Sequence, residues 1–401
     1  MSILILSWEY APNIIGGLGK HVTELTEAMG GGCRGQEQFD IHVLTPAAAG
    51  APAREDRGDR LHIHRVDLSP PKEGDFFDRN VASNAQLAQA ARELALEIDF
   101  ELIHVHDWLP ATAGLELMHD WRIPLVATVH ATEHGRYMGH LHTELSHKIH
   151  DLESRLCREA WKVIVCSYFM RDSLMQIFDL DSEVLDVIPN GINIHPPQAR
   201  DQAREQQLRQ LYAQHGEFLL LFVGRPTHEK GLHVLLDAMG LIAETQPDTR
   251  LLVAGRDSRK QIMAVQQRGL AGKVDLLGYV DDVTRNCLLR VANAAVFPSL
   301  YEPFGIVALE AMAAGCPVVV SDVGGLSEVV EHEVTGLTVY PNDPRSICWA
   351  VEHIRGKPDQ ARIRAHRATR VVRDQFNWDR ITRRARYTYR TLIDYSSRVP
   401  A

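Results

Sequence analysis

Short apolar runs alternate with longer helical patterns along most of this 401-residue chain, and that alternation constrains the fold more than any single motif. Ile3–Leu6, Ile41–Leu44, Leu102–Val105, Leu125–Val129 and Val163–Cys166 read as buried strands. Helical segments such as Lys20–Met29 and Ala85–Ile98 lie between them. Strands that are apolar on both sides need cover on both faces, which a βαβα order supplies around a parallel sheet. The rhythm breaks between Asn193 and Gly216, at Pro196-Pro197 and a stretch rich in Gln, Arg and Asp. It resumes with Phe218–Val223, Arg250–Ala254, Val274–Leu277, Ala295–Phe297 and Val318–Val320. The expected fold is α/β, with two doubly wound domains over 1–192 and 218–379 and a linker over 193–217.

Composition narrows the function classes. Hydrophobic residues at 45% and charged residues at 24% suit a globular chain with sizeable cores and exclude a disordered or collagen-like one. A net charge of −9 gives nothing that recruits nucleic acid. The longest apolar stretches, such as Cys316–Val320, are too short to cross a bilayer. The opening Met1-Ser2-Ile3-Leu4-Ile5-Leu6 has no basic segment before its apolar run, and reads as a first strand rather than a signal peptide. Six cysteines without a CxxC pair fit buried thiols in a reducing, cytoplasmic setting.

Notable residues fall just after the expected strands, where open α/β sheets bind ligands. Ser299-Leu300-Tyr301-Glu302-Pro303-Phe304-Gly305-Ile306 follows one of them, with Pro303 suited to start a helix and Gly315 to end it. A helix start offers unpaired N–H groups to a phosphate, and Gly305 allows close approach. Glu302 and Glu310 would then stand about 10–12 Å apart along that helix. A nucleotide-sugar spans such a gap, with Glu302 at sugar hydroxyls and Glu310 at the ribose; helix-end acids without a ligand are equally common. Gly224-Arg225-Pro226-Thr227-His228-Glu229-Lys230-Gly231 places two cations in one βα turn, fit for phosphate oxygens or simply an ordinary basic turn. It lacks the pattern of a Walker A loop. Gly16-Gly17-Leu18-Gly19 and Gly324-Gly325 are glycine turns of the same ambiguous kind.

Histidine is abundant, at 20 residues, yet no HExxH or comparable spacing appears, so no metal site is expected. His130 ends a strand and enters a loop, as a site residue or as a satisfied buried ring. Asp107 ends another strand, placed to orient a hydroxyl or to cap the next helix. The C-terminal region is rich in arginine, with Trp378, Ile381, Tyr387 and Leu392 as its apolar face. A solvated basic surface is the favoured reading there, over contact with an anionic membrane.

In order, these segments resemble the retaining glycosyltransferases of family 4. The likeness runs through Ser7-Trp8-Glu9-Tyr10-Ala11-Pro12, Gly16-Gly17, His106-Asp107-Trp108-Leu109, His130, Ile188-Pro189-Asn190-Gly191, Gly224-Arg225 with Lys230, Glu302 with Glu310, and Gly324-Gly325-Leu326-Ser327-Glu328. Within the family it is most similar to prokaryotic glycogen synthases. The chain departs from the neighbouring starch-synthase family, which has a lysine where Ile14 stands and often a cysteine where Phe304 stands.

The resemblance implies the GT-B fold, two Rossmann-like domains facing across a cleft, with a last helix over about 380–401 packed on the first. It implies an ADP- or UDP-glucose donor, no cofactor, and an α-glucan or other saccharide acceptor. Arg225 and Lys230 would meet the pyrophosphate, Glu302 the sugar and Glu310 the ribose. Phe304, Gly305 and Ile306 would offer main-chain contacts, His130 and Gly17 would approach the donor, and Asp107 would lie on the acceptor side.

Overall fold

The computed structural model describes residues 1–31, 38–69, 71, 73–193 and 201–398; Cys33 and Pro196-Pro197 lie outside them. The chain divides into two compact units, Met1–Gly191 with Trp378–Ala401, and Ile192–Asn377.

The first unit is built on eight strands: β1 (Ser2–Leu6), β2 (Asp40–Pro46), β3 (Arg54–Asp56), β4 (Leu61–Val66), β5 (Phe100–His106), β6 (Leu125–Val129), β7 (Lys162–Val165) and β8 (Leu185–Val187). Their order is β3-β4-β2-β1-β5-β6-β7-β8, parallel except for β3 against β4. Ile3, Leu4, Ile5 and Leu6 are all fully buried, which is why the central strand β1 carries no polar face. Helix Trp378–Ser396 closes this core with Trp378, Ile381, Ala385, Tyr389 and Leu392. Tyr387, expected on that face, is 75% exposed. From Ile381, helical steps of four and three reach Ala385, Tyr389 and Leu392, and leave Tyr387 on the far side. Among the described residues, no helix is long and apolar enough to cross a membrane.

The second unit has β9 (Phe218–Val223), β10 (Thr249–Ala254), β11 (Val274–Gly278), β12 (Ala294–Phe297), β13 (Val318–Ser321) and β14 (Leu337–Val339), in the order β11-β10-β9-β12-β13-β14. Every pairing in it is parallel. The segment read as a linker belongs to this unit and carries a helix, Gln202–Tyr212, packed on helix Asp282–Val291. Its only buried residue is Glu205, so it lacks the apolar stripe by which a sequence announces a helix.

In a doubly wound sheet the chain reverses its direction of travel at one point, and ligands bind beyond the carboxyl ends of the two strands there. In the first unit that point lies between β1 and β5, and in the second between β9 and β12. Most of the motifs of interest follow these four strands, or β6 beside them, while Ile188–Gly191 follows β8 and Gly324-Gly325 follows β13.

Candidate functional site

In the second unit the loops after β9 and β12 are stitched together. Gly231 has φ of 67°, and a Cβ there would stand 1.8 Å from the carbonyl oxygen of Pro298, so glycine alone permits this approach. The carbonyl of Glu229 accepts from the amides of Leu300 at 2.7 Å and Tyr301 at 3.3 Å. The result brings Lys230 Nζ to 2.7 Å from Glu302 Oε2, which also accepts from Ser299 Oγ at 3.3 Å. Arg225 is exposed and makes no hydrogen bond or ion pair among the described residues. One cation is therefore presented outright, and the second is held by a carboxylate that an incoming anion can replace.

The helix after this loop spans Ile306–Ala313, later than its expected start at Pro303. Gly305 is its N-cap, with φ of 102° and no side-chain cap, so the first N–H groups are left for water or a ligand. A Cβ on Gly305 would meet Leu326 at 2.6 Å. Glu302 thus precedes the helix, and the expected separation of two carboxylates along one helix does not hold. The loop instead folds back, with the Gly325 amide donating to the Glu302 carbonyl at 2.9 Å. Phe304 packs edge-on to Phe376. Glu310 is 7% exposed and pairs through Oε1 with Arg285 Nη2 at 3.1 Å. Arg285, on helix Asp282–Val291, also reaches Asp282 at 2.9 Å. Sequence reasoning missed it, since nothing local distinguishes it from a surface arginine.

In the first unit the loop after β1 turns on Glu9. Its Oε2 accepts from the amides of Ile15 at 2.9 Å and Gly16 at 3.1 Å, fixing the start of helix Gly17–Gly30 and leaving Gly17 exposed. After β5, Asp107 adopts φ of 59° and turns its carboxylate onto the main chain after β6. It accepts from the His130 amide at 2.6 Å and also from Ala131. Burial pushes its carboxyl up to about 6, against those hydrogen bonds and the Arg136 charge. It does not cap the following helix, Ala111–Trp121, whose N-cap is Pro110.

His130 is half-buried, and its Nε2 meets His106 Nδ1 at 3.2 Å with the rings stacked. Burial and then Arg136 draw the His130 ring down to about 4, so it is neutral at pH 7. His21, one turn into its helix, stands edge-on to His130 with ring centroids 4.8 Å apart. No sequence spacing marked these three histidines as a set, because they come from three separate elements. His140 and His142 stack on each other in their own loop.

Residues 15–195 match the family described as Glycosyltransferase Family 4, and residues 203–370 match Glycosyl transferases group 1. An uncharacterized glycosyltransferase of Methanocaldococcus jannaschii is 33% identical, over 99% of this chain and 100% of its own. A glycogen synthase of Mycobacterium tuberculosis is 33% identical, over 95% of this chain and 92% of its own. Among solved structures, sucrose-phosphate synthase from Thermosynechococcus elongatus superposes with a TM-score of 0.84 at 26% identity, covering 98% and 99% of the two chains.

Proposed function

From the premise that this chain belongs to family 4 of the retaining glycosyltransferases, with the GT-B fold, we propose that it transfers glucose from ADP- or UDP-glucose to an α-glucan, keeping the α configuration. The observation that carries the reading is the cluster at the β9/β12 reversal, where Arg225, the Lys230–Glu302 pair and an uncapped helix start converge. Departure of a nucleoside diphosphate creates negative charge on its phosphate and positive character on the sugar. Arg225, Lys230 and the N–H groups after Gly305 stabilise the first.

As the pyrophosphate takes Lys230, Glu302 is released to accept from sugar hydroxyls. Glu310, held by Arg285, accepts from the ribose diol, while the main chain of Phe304, Gly305 and Ile306 lines the donor. Attack comes from the face the leaving group vacates, with a departing phosphate oxygen taking the acceptor proton. The protein contributes positioning and charge stabilisation. From the first unit the reading takes His130 as a partner for a donor hydroxyl and Gly17 as a close approach to phosphate. Asp107 serves the acceptor side by fixing the main chain from which His130 projects.

A second reading keeps the chemistry and changes the acceptor to a sugar phosphate. The likeness to a sucrose-phosphate synthase along nearly the whole chain favours it over lipid or cell-surface acceptors. A protein that binds nucleotide-sugar without transferring it is a third reading. Radiolabelled ADP- and UDP-glucose offered with glycogen, maltooligosaccharides, glucose 1-phosphate and membrane extract separate the three. Elongated glucan supports the first reading, a labelled small phosphorylated disaccharide replaces it with the second, and binding without transfer replaces it with the third.

A further inference from the structure

The donor chemistry leaves two buried rings of the first unit without a task, His21 and His106. With His130 they form a convergent set: one ring nitrogen of each lies within 4.8 Å of those of the other two. The closest pair, His106 Nδ1 and His130 Nε2, is 3.2 Å apart. Two nitrogens bound to a tetrahedral zinc at about 2.0–2.1 Å each stand about 3.3 Å from one another.

A buried atom makes the case independently. His21 Nδ1 is shielded from solvent and has no hydrogen-bond partner, in a residue that is 6% exposed. A neighbouring histidine shows what a satisfied ring looks like at this depth. His104, whose centroid is 4.2 Å from that of His106, bonds Tyr389 Oη at 2.6 Å and Thr128 Oγ1 at 2.7 Å. Unsatisfied buried nitrogens are rare in native proteins and call for an explanation such as an ion. A neutral imidazole has a ring nitrogen lone pair to give a metal ion.

We propose that His21, His106 and His130 bind one divalent transition-metal ion of the zinc, cobalt or nickel type. Three imidazoles with no carboxylate suit those ions and not magnesium or calcium. Each ring stays neutral on binding, since the proton of the His106–His130 hydrogen bond can pass to the far nitrogen of its own ring. Three protein ligands leave a coordination position for water. A consequence rests on the transferase reading: a metal-bound His130 is lost to the donor sugar, so zinc inhibits transfer.

Calorimetric titration of the full chain with Zn²⁺, and visible absorption on adding Co²⁺, test the site without any activity assay. The wild type should take up one equivalent with a Kd of about 1 μM or tighter, and Co²⁺ should give the intense bands of a tetrahedral complex. H21Q and H106Q, each checked for an unchanged circular dichroism spectrum, should weaken Zn²⁺ binding about 100-fold. Should either unfold, weakened binding in H130Q alone supports the site. His140→Ala with His142→Ala, which removes an exposed histidine pair elsewhere, should leave the affinity unchanged. Equal affinity for Mg²⁺, binding retained in the site variants, loss on removing His140 and His142, or no saturable uptake would each overturn the proposal. Zinc binding in a protein that transfers no sugar would refute the transferase reading and leave the metal site standing.

Discussion

Lys230 Nζ and Glu302 Oε2 stand 2.7 Å apart although their loops are separated by three intervening strands in the chain, β10, β11 and β12. The contact joins the two sides of the sheet reversal in the second unit, and both side chains are mostly shielded from solvent. A cation placed there serves a developing phosphate charge better than one in bulk water.

Arg225→Ala and Lys230→Ala should each lower kcat/KM by about 100-fold or more, the scale seen when one donor to a developing charge is removed. The circular dichroism spectrum should not change. Turnover at the wild-type rate in either variant would count against the assigned roles.

Arg285 pairs with the Glu310 carboxylate, and both groups are largely buried. Arg285→Met should raise the donor KM and lower the thermal midpoint. Removing one member of a buried pair costs about 3–5 kcal/mol at full burial, and the partial exposure of Arg285 places this case toward the lower end. A donor lacking the ribose hydroxyls should be insensitive to the change; equal losses with both donors would mean that Arg285 acts on stability alone.

The first unit should lose stability in both pH directions, for opposite reasons. Glu153 accepts from the Glu133 amide through both oxygens at 3.0 Å, yet burial raises its carboxyl to about 8. A raised acid binds its proton more tightly in the folded state, so its contribution is full below about 4 and is lost as pH climbs through about 8. His104 and His130 are lowered to about 3 and about 4, so their contribution is present above about 6.5 and fades as pH falls toward those values. Thermal midpoints of Glu153→Gln and wild type should diverge from pH 5 to pH 9, with the variant the more stable at the alkaline end. Parallel curves would refute the burial account.

Gly231→Ala places a methyl within bonding distance of the Pro298 carbonyl at a positive φ. The loops after β9 and β12 must then separate, breaking the hydrogen bonds to the Glu229 carbonyl. Donor affinity, measured by calorimetry, should fall about 10-fold or more. Unchanged affinity would show that the junction does not position the site.

Much of this was legible along the chain. Leu125–Val129 and Phe218–Val223 were bounded as the structure has them, because strands buried on both faces must be continuously apolar. The candidate donor residues were found because they follow strands, where a doubly wound sheet puts its ligands. Local pattern failed where side chains serve distant partners. Helix Gln202–Tyr212 is nearly all polar, Glu302 precedes its helix, and Tyr389 rather than Tyr387 enters the core. Periodicity and turn chemistry act over a few residues, and so the sequence alone determined two α/β units and the loops that hold the candidate site. Which atoms meet was decided by tertiary structure. Arg285 on Glu310, Asp107 under His130 and the convergence of His21, His106 and His130 each join elements far apart in the chain, and only the packing of one element on another sets such distances.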